Sequence, residues 1–199
     1  MSVNKKRIEK AVLEILFAIG EDPTREGLVG TPDRVARFWE EFIDWDCGTL
    51  DTLFEEVQVD EMIVVRNIKG YSLCEHHLLP FSFTAHVGYL PVKRNKFLNL
   101  FLRYRFQPTK KVLGASKIIR VVEKHAHKPQ IQERMTYDIA HEIQKLTDAL
   151  GVGVIIEGKH LCMNMRGVKS PESEFITSAI LGEFHQAEVR NEFLRLCGK

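Results

Sequence analysis

The sequence predicts an α+β fold, not a doubly wound parallel sheet, and two observations carry that. Strand-like and helix-like segments fall in groups along the chain instead of alternating strictly. A stretch of purely helical pattern, about residues 1–50, precedes the first strand-like segment, which divides the chain into an N-terminal helical region and a domain over 51–199. The 199 residues, 44% hydrophobic and 28% charged, suffice to bury a real core.

The elements follow in order. Ile8, Val12, Ile15, Leu16 and Ile19 recur at helical spacing, and Gly20 can stop that helix. Glu9, Lys10 and Glu14 interrupt its apolar run, so the basic N-terminus reads as an amphipathic helix and not as a signal. Thr31-Pro32 looks like an N-cap followed by a proline at the first helical position. The helix it opens carries Arg34 and Arg37 on one face. Val57 to Ile68 is rich in β-formers, and Phe81, Phe83, Ala85, Val87 and Tyr89 alternate with smaller or polar residues as in a half-buried strand. Ser116 to about Ala126 reads as a helix, and Pro129 to Leu150 as a longer one flanked by Gly151 and Gly153. Val152 to Glu157 and Phe175 to Phe184 read as strands, and Ala187 to Leu196 as a closing helix.

Charge excludes some classes. With 28 basic against 27 acidic side chains, net +1, wholesale nucleic-acid binding has no support, so any anion site is local. No segment offers the roughly 18 consecutive apolar residues of a membrane span. Four cysteines without a secretory signal favour thiols or metal ligands over disulfides, and so a cytoplasmic protein.

Three constellations can do chemistry. Cys74-Glu75-His76-His77 gives a Cys-x-x-His spacing, which a tight turn can bring to one point. His160-Leu161-Cys162 follows a strand, where residues two apart face the same way. If zinc takes Cys74, His77 and Cys162, three ligands leave a position for water, as in catalytic sites, and His76 and His160 stay free for protons. Spacing fits separate buried thiols and satisfied histidines equally well. Cys47 and Cys197 read as bystanders. In the second constellation, Ser116 and Lys117 open a helix after Gly114, with Arg120 one turn on, where free N–H groups favour a phosphate. Arg166, Arg34 and Arg37 are further cationic candidates, although surface Lys and Arg are common without function. Gln132-Glu133 near the start of the long helix is the third: a buried carboxylate there, or an ordinary exposed one.

Leu73 to Phe81 (LCEHHLLPF), Val112 to Lys117 (VLGASK), Pro129 to Arg134 (PQIQER), His160 to Val168 (HLCMNMRGV) and Thr177-Ser178-Ala179 together resemble GTP cyclohydrolase I, in the family's order. The resemblance runs from about Ile8 to Leu196. It implies a tunnelling fold, an antiparallel sheet with helices on one face and an N-terminal helical appendage. It implies a homodecamer with active sites at subunit boundaries. The implied reaction converts GTP to 7,8-dihydroneopterin triphosphate with release of formate, the first step of pterin and folate synthesis. By the same resemblance Cys74, His77 and Cys162 are zinc ligands, and the metal lowers a water's pKa to about 7. His160 gives a proton to the purine, and His76 is a second acid/base group. Ser116 serves the ribose rearrangement, and Glu133 with Gln132 holds the guanine edge. Lys117, Arg120 and Arg166 bind the triphosphate, with Arg34 and Arg37 contributing from an adjacent subunit.

The paired clusters argue against two other enzymes of that fold, the nitrile reductase with its lone nucleophilic cysteine and the pterin synthase with its three-histidine zinc site. A non-catalytic assembly subunit is the reading from another class. One stretch departs from the family: Val92 to Gln107, VKRNKFLNLFLRYRFQ, basic, rich in Phe and Leu, without acid. It is either a loop insertion, at a closure cost of about 0.6 kcal/mol per doubling of length, or untranslated sequence read through, since its ends can be encoded with GT and AG.

Overall fold

The computed structural model describes residues 3–54, 59, 61–92 and 112–199, so the departing stretch, past Val92, lies outside the described residues. The chain divides into two units, Met1–Asp46 and Cys47–Lys199.

In the first unit, α1 (Lys5–Ala18) begins where the Asn4 side chain accepts the Arg7 N–H at 3.1 Å, a side-chain cap. Gly20 follows it at φ +82°, in the left-handed region that costs glycine nothing. The cap of α2 (Thr31–Ile43) is Gly30, one residue before the expected Thr31. The Thr31 hydroxyl instead accepts from Arg34 Nη2 at 3.2 Å. Lys5 and Glu40 pair at 2.9 Å across the two helices.

The strands of the second unit are β1 (Leu53–Phe54), β2 (Ile63–Cys74), β3 (Pro80–Leu90), β4 (Val112–Leu113), β5 (Pro129–Gln130), β6 (Gly151–His160) and β7 (Phe175–Gly182). Its α-helices are α3 (Ala115–Ala126), α4 (Gln132–Thr147), the one-turn α5 (Leu161–Asn164) and α6 (Ala187–Cys197). β1 pairs with β4, and the main sheet runs β5-β2-β3-β6-β7. The α+β class holds. The sheet is mixed and not wholly antiparallel, because β5 lies parallel to the end of β2, Leu73 against Pro129 and Cys74 against Gln130. The same pairing corrects the long helix. Pro129-Gln130 is drawn into the sheet, so α4 starts at Gln132; it ends at Thr147, and the residue that caps it is Asp148 in the αL conformation, not a glycine.

One sheet face carries the main core. Phe81, Phe83, Ala85, Val87 and Tyr89 of β3 meet Val152, Val154 and Ile156 of β6, with Ile118, Val121 and Val122 of α3 and Met135, Ile139 and Ile143 of α4 packed above. Each large apolar side chain buried there contributes about 1.5–3 kcal/mol. The expectation of helices on one face only is corrected by α6. Phe193 of α6 and Phe184 cover the opposite face at one end, in a cluster with Ile155 and Cys197. Glycine is the physical reason: a Cβ at Gly88 would stand 2.7 Å from the Phe193 ring, and one at Gly153 2.6 Å from Phe184. The bare strand positions form the trough into which both rings fit.

His86 of β3 is buried at 2% exposure, and neither ring nitrogen has a hydrogen-bond partner among the described residues. Burial holds its pKa below the ordinary value, ahead of the opposing pull of Glu157, while Lys199 and Arg66 add to the lowering. The unfolded chain takes up this proton near pH 6.5 and the folded chain resists it. Stability from a neutral His86 is therefore full above that pH and lost as pH falls. We expect the urea midpoint to drop between about pH 7.5 and 5.5, and His86→Leu to drop less over the same interval. An equal drop in both would remove His86 from the account.

Candidate metal centre and acid/base site

β2 ends on Cys74, and a tight turn leads into β3. The Leu78 N–H donates to Cys74 O at 2.8 Å, and Leu78 itself sits at φ 55°. Arg134 of α4 anchors the turn through Glu75, Nη2 to Oε2 at 2.7 Å. The turn brings His77 Nδ1 to 3.8 Å from Cys74 Sγ. Cys-x-x-His thus converges by local geometry alone.

The second cluster arrives differently from the expected shared strand face. β6 ends at His160, and Cys162 stands on the one-turn α5, where strand alternation no longer applies. The turn still aims the thiol inward: Cys162 Sγ lies 3.7 Å from Cys74 Sγ. Cys74, His160 and Cys162 bring three ligand atoms within 4.8 Å of one another. Two sulfurs on a tetrahedral zinc, each about 2.3 Å from it, stand roughly 3.8 Å apart, so the thiol pair fits that metal. Burial, then the neighbouring Cys74 thiol, pushes the Cys162 thiol up, and a bound cation reverses such a shift.

His160 is held on two sides. It faces Phe81 in the β3–β6 register and stacks on its ring, centroids 4.2 Å apart and planes 8° apart. Gln132 Oε1 lies 2.9 Å from its Nε2. Burial lowers its pKa, opposed by the Glu133 carboxylate. Arg166 Nη1 donates to His77 Nε2 at 2.9 Å, so Arg166 reaches the turn. His76 is exposed beside His77, the rings meeting edge-on at 6.3 Å.

The cationic residues form a second group. Lys117, buried in the first turn of α3, donates from Nζ to Thr49 O at 2.6 Å, and Arg120 Nη1 reaches the same carbonyl at 3.3 Å. Ser116 is exposed at that helix start. Glu133 is exposed in the first turn of α4, so the carboxylate of this pair is not the buried one; Gln132 is buried instead. Arg34 and Arg37 belong to the first unit, where Arg34 donates to Gly27 O at 3.1 Å and Arg37 pairs with Asp33 at 2.9 Å. Sequence reasoning missed Phe81 as the platform for His160, and Gly158 and Phe175 beside Gln132. Only the strand register, Phe81 with His160 and Gly158 with Phe175, reveals them.

The chain matches the family GTP cyclohydrolase I over residues 8–98 and 97–198. The break between the two segments falls inside Val92 to Gln107, the stretch that departs from the family's pattern. GTP cyclohydrolase 1 of Sulfurihydrogenibium sp. (strain YO3AOP1) is 48% identical over 198 residues, 98% of this chain and 96% of that protein. GTP cyclohydrolase 1 of Aquifex aeolicus (strain VF5) is 46% identical over 198 residues, 98% of each. Among solved structures, the archaeosine synthase QueF-Like in the apo form superposes with a TM-score of 0.40 at 13% identity, covering 63% of this chain and 97% of that one. No helix among the described residues is long and apolar enough to cross a membrane. The match of the family over residues 8–98 and 97–198 and the 46–48% identity over nearly the whole length, joined to the convergence of Cys74, His160 and Cys162, place this chain in the GTP cyclohydrolase I family of enzymes.

Proposed function

We propose that the chain hydrolyses and rearranges GTP to 7,8-dihydroneopterin triphosphate, releasing formate, with zinc held by Cys74, His77 and Cys162. The observation that carries this reading is the pair of free thiols 3.7 Å apart beside two imidazoles. Zinc bound there supplies Lewis acidity and a water of lowered pKa. The chain's own groups do the rest. His160 exchanges a proton with the purine, and exposed His76 is the second acid/base group. Arg166, Lys117 and Arg120 meet the triphosphate, with Arg34 and Arg37 from a neighbouring copy. Ser116 serves the ribose step, and Glu133 accepts from the guanine edge. The exposure of Glu133, Ser116 and His76 supports a site that a second copy closes, in keeping with a decamer of tunnelling-fold subunits. The region 1–50 is then an appendage to a catalytic domain over 51–199. Purified protein given GTP and zinc should yield formate and a pterin that fluoresces after oxidation, and absence of both overturns the reading.

A second reading takes His160 as third ligand, because it, Cys74 and Cys162 bring their ligand atoms within 4.8 Å of one another. Two variants separate the readings. We expect His77→Ala to lose most of its zinc, and His160→Ala to keep zinc while turnover falls by about 10²- to 10⁴-fold, the usual worth of a positioned acid/base group. Zinc loss confined to His160→Ala would favour the second reading.

A further inference from the structure

Gln132 is buried at 1% exposure at the start of α4, and its carboxamide is committed on both sides. Its Nε2 donates to Ile156 O at 3.1 Å and Phe175 O at 2.7 Å, with Thr177 Oγ1 at 3.1 Å. Carbonyl oxygens accept only, so these partners fix which end of the amide is nitrogen. The atom facing His160 Nε2 at 2.9 Å is therefore the oxygen Oε1. An amide oxygen also accepts only, so His160 Nε2 carries the hydrogen. A neutral imidazole has a single N–H, and Nδ1 is left with its lone pair. The Phe81 ring, 4.2 Å away and 8° from parallel, holds the imidazole plane.

The space for this arrangement comes from Gly158, two residues before His160 on β6. A Cβ at Gly158 would overlap Gln132 Oε1, and would stand 3.1 Å from Gln132 Cδ and 3.2 Å from His160 Nε2. Any side chain there and the Gln132–His160 hydrogen bond exclude each other. The glycine is not needed for backbone reasons, since its φ lies outside the left-handed region. Its missing side chain is the feature used.

We propose that Gln132 is a positioning residue for His160: it holds the imidazole in the tautomer that leaves Nδ1 with its lone pair, and Gly158 makes the room. This rests on the reading of His160 as the proton-transferring group. It differs from a role for Gln132 on the guanine edge, because the amide is buried and each of its ends already has a partner within the protein.

Kinetics and spectroscopy test it together. Gln132→Met keeps the volume and removes the acceptor, and Gly158→Ala keeps every polar group but displaces the amide. Both should lower kcat by roughly 10- to 100-fold, the usual worth of a group that orients a functional histidine, with KM for GTP nearly unchanged. A guanine ligand would show the reverse, a raised KM in Gln132→Met and little effect of Gly158→Ala, and that result overturns the proposal. Histidine-selective ¹⁵N NMR of the wild-type protein should place the His160 hydrogen on Nε2. A hydrogen on Nδ1 also overturns the proposal, whether or not either variant folds. If the wild type makes no pterin while the Nε2 tautomer is present, the catalytic reading fails and the positioning contact stands.

Discussion

Cys162→Ser should leave the purified protein without zinc and without formate release, and Cys74→Ser should do the same. The change is small in volume and large in chemistry. A thiol beside a cation ionises, whereas a serine hydroxyl does not near neutral pH, and the softer sulfur is the better zinc ligand. Cys74 sits at the end of β2 and Cys162 on α5, so neither can be replaced by a neighbour sliding along its own element. Turnover should fall about 10⁴-fold or more, the scale seen when a member of an interdependent catalytic set is removed. The controls are the two remaining cysteines. Burial pushes the Cys197 thiol up to about 11, and it packs in the Phe184–Phe193 cluster; Cys197→Ser should keep its zinc, as should Cys47→Ser. Metal content by elemental analysis, with a formate assay on the same samples, checks this. Stoichiometric zinc in Cys162→Ser would sink the proposed ligand set.

What the sequence disclosed of this site and fold follows the range of each interaction. The alternation of β3 is legible because one of its faces is the main core, so each second residue is large and apolar. The Cys74–His77 approach is legible because a turn of the backbone suffices. β6 runs past the expected Val152 to Glu157 at both ends, through Gly151 and through Gly158 to His160, and its glycines obscure that length. They are the points where Leu181, Phe184 and Gln132 come closest to the strand. The short β5 is illegible for a related reason: its partner is β2, more than fifty residues earlier in sequence, while the helical stripe of α4 lies next to it. The meeting of Cys74 with Cys162 is long-range too; only the family's motifs, taken together, hinted at it. No motif carries the Phe81 stack or the Gln132 amide, which depend on register.

Two glycines of the β6–β7 pair should separate stability from chemistry. Gly182 ends β7 opposite Gly151, at φ 57° and ψ −132°, a region essentially closed to residues with a Cβ. A Cβ there would overlap Leu150 O and stand 2.9 Å from Leu150 C and 3.0 Å from Gly151 Cα. These are backbone atoms, so no side-chain rotation relieves the clash, and the strand end itself must move. Strain and overpacking together put the cost of Gly182→Ala at roughly 3 kcal/mol or more. For a chain of this size that lowers the melting temperature by about 6–12 °C. Gly158 pairs with Phe175 at the opposite end of the same two strands, beside Gln132 and His160. Well below its melting point, Gly182→Ala should therefore retain its kcat, because the disturbed end carries none of the proposed acid/base or metal groups. Gly158→Ala should show the inverse, a modest loss of stability with a large loss of kcat. Calorimetry and steady-state kinetics on both variants give the comparison. A kcat loss in Gly182→Ala equal to that of Gly158→Ala would mean that β6 and β7 respond as one rigid pair, and the local account of the His160 site would fail.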